Sequence, residues 1–194
     1  MGLDLDNTLV NYGPAYGFLV SEVLQDERYE NQVFGKESAK RLILGTRGNL
    51  EWTQAQGKLY SQYLTHAEFF PGALDFIREA RISGCDVVIV SHKTRFPYEG
   101  EKVDLQASAR SWLHSRLPSD ILSLSVGENL FFEETKKAKT DRILELGCDV
   151  FVDDLEEVLR ELPVHIMRIL FRGSTNEETI LSATSWSEVR DLII

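Results

Sequence analysis

The 194-residue chain is short of several things, and each shortage excludes something. It has two cysteines, Cys85 and Cys148, each in a Gly-Cys-Asp-Val context before an apolar run. Two thiols cannot make a disulfide scaffold, so the expectation is a pair of small core residues in a reducing compartment, and a cytoplasmic, soluble protein. No apolar run approaches the ~20 residues of a membrane span. The longest are Val87–Val90 and Ile166–Phe171, and Arg168 interrupts the second. The first residues show no basic flank leading into an apolar stretch, as a secretory leader would. Basic charge is also scarce: 21 Lys+Arg stand against 31 Asp+Glu, a net of −10. Nucleic acid and anionic lipid both need a basic stripe, so neither is an expected partner. There are no internal repeats, low-complexity tracts or long linkers.

What is present is an alternation. Short apolar runs at Asp86–Val90, Asn129–Phe132, Asp149–Val152 and Val164–Phe171 read as strands, opened by Gly or Pro. Helical spacing appears at Gly72–Ile82, Val103–Leu117, Thr140–Leu146, Leu155–Leu162 and Ser185–Ile194. Ser185 and Glu188 form a capping-box pattern at the start of the last. Alternating strands and helices predict an α/β fold, a Rossmann-like parallel sheet with helices on both faces.

Residues 11–69 break the alternation. They are helical in pattern, hold seven acids and six bases, and contain five of the six tyrosines. The segment reads as a helical cap inserted after the first strand, with residues 1–10 and 70–194 forming the α/β core. A nearly neutral, aromatic insertion at this place has the character of a lid.

Four groups in the core carry chemistry. Asp4 and Asp6 are two apart in Met1-Gly2-Leu3-Asp4-Leu5-Asp6-Asn7-Thr8. In an extended chain their carboxylates share a face, and the repulsion calls for a cation or a proton. Ser91 ends the Val87–Val90 run and can donate to an anion's oxygen. Lys136, Lys137 and Lys139 cluster before a predicted helix. Asp153 and Asp154 end the Val150–Val152 run. Each group sits at or just after a strand's carboxyl end, where open α/β sheets bind ligands.

Taken together, the order Asp-x-Asp, Ser, Lys, Asp-Asp resembles the haloacid dehalogenase-like hydrolase superfamily over nearly the whole chain. Phe70-Pro71-Gly72-Ala73 and the position of the insertion (that of a C1-type cap) add to the resemblance. The resemblance implies a phosphatase that works through an aspartyl-phosphate with Mg²⁺. Asp4 is then the nucleophile, and Asp6 the acid that protonates the leaving oxygen and later the base that activates water. Ser91 and Lys139, or Lys137 in its place, hold the phosphoryl oxygens. The metal ligands are Asp4, the Asp6 carbonyl and Asp154, with Asp153 supporting or replacing Asp154. Haloalkanoate dehalogenases of this superfamily lack an acid two residues after the nucleophile, so Asp6 points to phosphate rather than halide.

The expected substrate is a small phosphorylated metabolite such as a phosphosugar. A phosphomutase of the same superfamily and a catalytically silent phosphometabolite-binding protein are the alternatives. Thr8, Ser91, His92, Lys93 and Arg47 are the candidate substrate-binding residues, with Arg95 near the rim and Trp52 on the lid. Phe96-Pro97-Tyr98 is expected to anchor the loop after Ser91; His66 and His114 read as ordinary helix residues. One departure stands out: only Met1, Gly2 and Leu3 precede Asp4. The first strand is therefore expected either to be unusually short or to have lost residues upstream.

Overall fold

A computed structural model describes residues 1–194. Six strands make one parallel sheet: β1 (Gly2–Leu3), β4 (Val88–His92), β5 (Leu130–Glu133), β6 (Val150–Asp153), β7 (Met167–Phe171) and β8 (Ile180–Ala183), in the spatial order β5-β4-β1-β6-β7-β8. Two further strands, β2 (Val10–Asn11) and β3 (Glu68–Phe69), pair as a separate small sheet. The helices are α1 (Gly13–Leu24), α2 (Lys36–Arg47), α3 (Asn49–Leu59), α4 (Ala73–Ile82), α5 (Leu105–Arg116), α6 (Lys136–Glu145), α7 (Glu156–Glu161) and α8 (Trp186–Ile193).

Both faces of the sheet are covered, and the side-chain period of two assigns each face. Phe151 and Leu170 join a buried cluster with Ile143 of α6 and Val158 and Leu159 of α7. The next residue along, Phe171, points the other way, with its ring 5.2 Å from Trp186 of α8, which in turn lies 5.0 Å from Phe76 of α4. A strand buried on both faces reads as an unbroken apolar run, which is why β4, β6 and β7 stand out in the sequence.

The sequence expectation is met in the α/β class and the parallel sheet, and differs at three points, whereas the short first strand is as expected. Strand β8 is not foreseen: Ile180-Leu181-Ser182-Ala183 is short and half polar, and only pairing with β7 makes it a strand. Strand β4 begins later than Asp86 and runs through His92, because its ladder with β5 extends to the His92–Glu133 pair. Helix α6 starts at Lys136, a full turn before Thr140, capped by Thr135, whose hydroxyl accepts the Ala138 N–H. Strand β1 has two residues, yet lies in the middle of the sheet between β4 and β6.

The chain divides into two compact units. The first comprises Met1–Val10, Phe69–Lys93 and Leu117–Ile194, and holds the six-stranded sheet. The second comprises Asn11–Glu68 together with Thr94–Arg116. It therefore includes α5, which the sequence boundaries assign to the core. The reason is packing within that unit: Gly57 of α3 lies against Pro97, and Arg116 donates to the Thr65 carbonyl at 2.8 Å. Of the expected anchor Phe96-Pro97-Tyr98, Pro97 packs on Gly57, Phe96 is exposed with the Arg95 and Lys102 cations near its ring, and Tyr98 is 80% exposed. Cys85 and Cys148 are free thiols.

Candidate active site

The loop after β1 carries Asp4, Asp6 and Thr8. Asp4 continues the sheet by one bond, its N–H donating to Val152 O at 2.9 Å. Asn7 then takes φ +62°, a left-handed conformation that Asn tolerates, and the loop closes with Asn7 N–H on Val10 O and Val10 N–H on Leu5 O. The turn leaves Thr8 fully buried, with its carbonyl accepting the Trp186 indole N–H at 3.1 Å.

Around Asp4 the structure gathers residues from four strand ends. Lys139, in the first turn of α6, is fully buried, and its Nζ donates to Asp4 Oδ1 at 2.6 Å and to Asp153 Oδ2 at 2.7 Å. The other oxygen of Asp153 accepts the Leu155 N–H at 3.0 Å. Carboxylate oxygens of Asp4, Asp153 and Asp154 all lie within 4.8 Å of one another. Ser91, on β4 beside β1, is completely buried, and its hydroxyl has no hydrogen-bond partner; the Thr8 hydroxyl shares that condition. A buried hydroxyl without a partner is costly, so Ser91, at the carboxyl end of β4, is suited to donate to an oxygen of a ligand.

The electrostatics follow from burial. Desolvation raises the Asp4 carboxyl to about 7; the charges of Asp153 and Asp6 push the same way, and only Lys139 opposes them. Lys139 stays above its ordinary value although burial opposes its charge, because Asp153 and Asp4 outweigh that cost. The cluster is therefore acid-rich, with one cation for three carboxylates. Its donors are all hard oxygens at a spacing suited to a single ion, so the residues fit a divalent cation such as Mg²⁺.

The remaining candidates sort themselves. Lys137 is exposed and paired with Asp141 at 2.6 Å, so the buried lysine is Lys139. Lys93, expected to bind substrate, is buried with its Nζ 2.7 Å from Asp6 Oδ2. His92 is half-buried, its Nε2 lies 3.2 Å from the Glu134 carbonyl, and burial lowers its pKa, so it is no cationic arm at neutral pH. Arg47 belongs to the second unit, where it lines a cavity of about 300 Å³ with Glu22, Gln25, Glu51, Gln54 and Lys58. Trp52 is buried core of that unit, and Arg95 is engaged by Asp104 at 2.8 Å. His66 stacks on Phe18 at 3.7 Å, a packing role. The pairing of Lys93 with Asp6 has no sequence signal.

No protein-family model matches the chain, and no curated protein matches it either. Solved structures do. A haloacid dehalogenase-like family hydrolase from Streptococcus pneumoniae superposes with TM-score 0.61 at 12% identity, covering 100% of this chain and 97% of that one. A predicted phosphoglycolate phosphatase from Haemophilus somnus gives TM-score 0.55 at 12% identity, over 98% and 96% of the two chains. A HAD family hydrolase from Deinococcus radiodurans, solved with bound phosphate and sodium, gives 0.53 at 15%, over 98% and 93%. Similarity spread over whole chains at such low identity is similarity of fold, and the chain has the haloacid dehalogenase-like fold.

Proposed function

We propose that this chain is a Mg²⁺-dependent phosphatase that hydrolyses a small phosphorylated metabolite through an aspartyl-phosphate on Asp4. The observation that carries the reading is the cluster of buried Asp4, Lys139 and Asp153 with half-buried Asp154, together with the buried, partnerless hydroxyl of Ser91 on the neighbouring strand. One structure of the same fold, solved with bound phosphate, and another described as a predicted phosphoglycolate phosphatase support it.

A carboxylate that attacks a phosphate dianion meets repulsion; Asp4, Asp154 and the Asp6 carbonyl would hold a Mg²⁺, which would supply the charge that offsets it. Asp153 already has one oxygen on Lys139 and the other on the Leu155 N–H, which favours Asp154 as the outer ligand. Ser91 Oγ donates to a phosphoryl oxygen, and Lys139 balances the charge that spreads over the phosphoryl group during transfer. Thr8 lies in the turn that presents Asp6, its carbonyl held by the Trp186 indole N–H.

In the first step an Asp4 oxygen bonds to phosphorus, the P–O ester bond breaks, and the Asp6 carboxyl gives its proton to the departing oxygen. In the second, Asp6 takes a proton from water, whose oxygen attacks phosphorus and releases Asp4 and inorganic phosphate.

The test is a screen of phosphorylated metabolites with Mg²⁺. Turnover that is stopped by EDTA and absent in Asp4→Asn is the expected result. Turnover retained in Asp4→Asn removes the nucleophile assignment, and turnover indifferent to EDTA removes the metal.

A further inference from the structure

Three acids of the site are fully or largely buried, and they draw on two cations. Two of the three N–H donors of Lys139 serve Asp4 and Asp153. Asp6 has a different partner, Lys93, at 2.7 Å, with side chains 3% and 15% exposed. Lys93 is held from the backbone as well: its N–H donates to Glu133 O at 2.8 Å, carrying the β4–β5 ladder one residue past His92. The stem is thus fixed by the sheet and the ammonium by Asp6. A lysine so placed is neither mobile nor on a rim.

We propose that Lys93 is a positioning residue that aims the Asp6 carboxyl at the ester oxygen, rather than a substrate contact. This rests on the phosphatase reading of the site. Asp6 sits on a loop, not on a strand, and proton transfer demands a donor within about 3 Å of the oxygen that receives it. The sheet-anchored ammonium donates to one carboxyl oxygen, Oδ2, whether Asp6 is ionised or carries its proton on the other oxygen, and so removes the rotamer freedom that a loop aspartate otherwise keeps. Asp4 needs no such help, since its own backbone bonds to β6.

The role predicts a dependence on leaving group. An alkyl oxide departs only with a proton, whereas p-nitrophenolate departs without one. With kcat/KM as the readout, which stops at departure of the leaving group, Lys93→Met should lower hydrolysis of glycerol 2-phosphate about 100-fold and that of p-nitrophenyl phosphate less than about threefold. Lys93→Arg, which keeps the charge, should recover most of the loss. A thermal cycle reads the pair itself: Lys93→Met should lower the melting temperature, and adding Asp6→Asn should restore part of it.

Equal losses for the two esters would mean that Lys93 contacts the phosphoryl group, and overturn the assignment. Strictly additive melting shifts would mean that the pair does not exist in solution, and overturn it as well. A wild-type chain that turns over neither these esters nor any metabolite of the screen overturns the phosphatase reading and this role with it, an outcome distinct from an active wild type whose esters fall alike.

Discussion

Lys139 and Asp4 are 135 positions apart in the chain and 2.6 Å apart in space. Removing the lysine leaves Asp4 and Asp153 facing each other without a cation. Breaking a buried pair in this way costs about 3–5 kcal/mol, so Lys139→Met should show a correspondingly lower denaturation midpoint. Asp4 behaves in the opposite sense. Its folded pKa of about 7 lies above its ordinary 3.8. Below the lower value both folded and unfolded chains hold the proton. Between the two, only the folded chain does, so this group makes the metal-free protein less stable as pH rises from about 4 to about 7. Asp4→Asn abolishes that slope. Melting curves of both forms in EDTA across this range are expected to diverge upward in pH, with the variant the more stable at pH 8. At this scale the sequence showed which residue types were available. It could not separate Lys137 from Lys139, because burial of one and exposure of the other follow from how α6 lies on β4.

Helix α6 is the element that delivers Lys139, and Thr135 is its N-cap. Losing a capping hydroxyl costs about 1 kcal/mol. Thr135→Ala should therefore lower stability by about that much and reduce kcat through a looser first turn, measured by denaturation and by turnover of the same preparation. In the second unit, α1 passes beneath the 29–32 loop so closely that a Cβ at Gly17 would meet the Gln32 carbonyl at 2.1 Å. Alanine normally favours a helix over glycine by about 1 kcal/mol. Here the clash with backbone outweighs that gain, and Gly17→Ala should lower the melting temperature.

Elements with strong local signals are the ones the sequence made legible. The apolar runs of β4, β6 and β7, and the Ser185 cap, whose hydroxyl does accept the Glu188 N–H, are of this kind. The Glu188 carboxylate closes the box one residue further upstream than the usual pattern, on Thr184. β8 was not legible, since its four residues have no periodicity of their own and become a strand only by pairing with β7.

At the scale of the molecule, a net charge of −10 and a proposed phosphate ligand look incompatible until the charges are placed. Asp4, Asp153 and Asp154 lie together, so part of the negative charge is gathered in one cluster whose oxygens fit a cation rather than spread as a general surface field. Divalent cation that binds the folded chain alone stabilises it by mass action. Mg²⁺ should raise the melting temperature saturably. The rise should be larger at pH 8 than at pH 6, because below about 7 a proton on Asp4 competes with the metal. A shift equal at both pH values, or one given equally by sodium at the same ionic strength, would count against the cluster as the binding site.

The sequence by itself determined the alternating α/β order, the parallel sheet, and the set of acids, serine and lysines at strand ends. These depend on periodicity and residue chemistry, which are local. Tertiary structure alone decided that α5 belongs with Asn11–Glu68, that a two-residue strand holds the centre of the sheet, that Lys139 is the buried lysine, and that Lys93 turns inward to Asp6. Each of these is a choice of partner between residues distant in the chain. Such choices are settled by burial and by the pairing of buried charges, which exist only once the chain has folded.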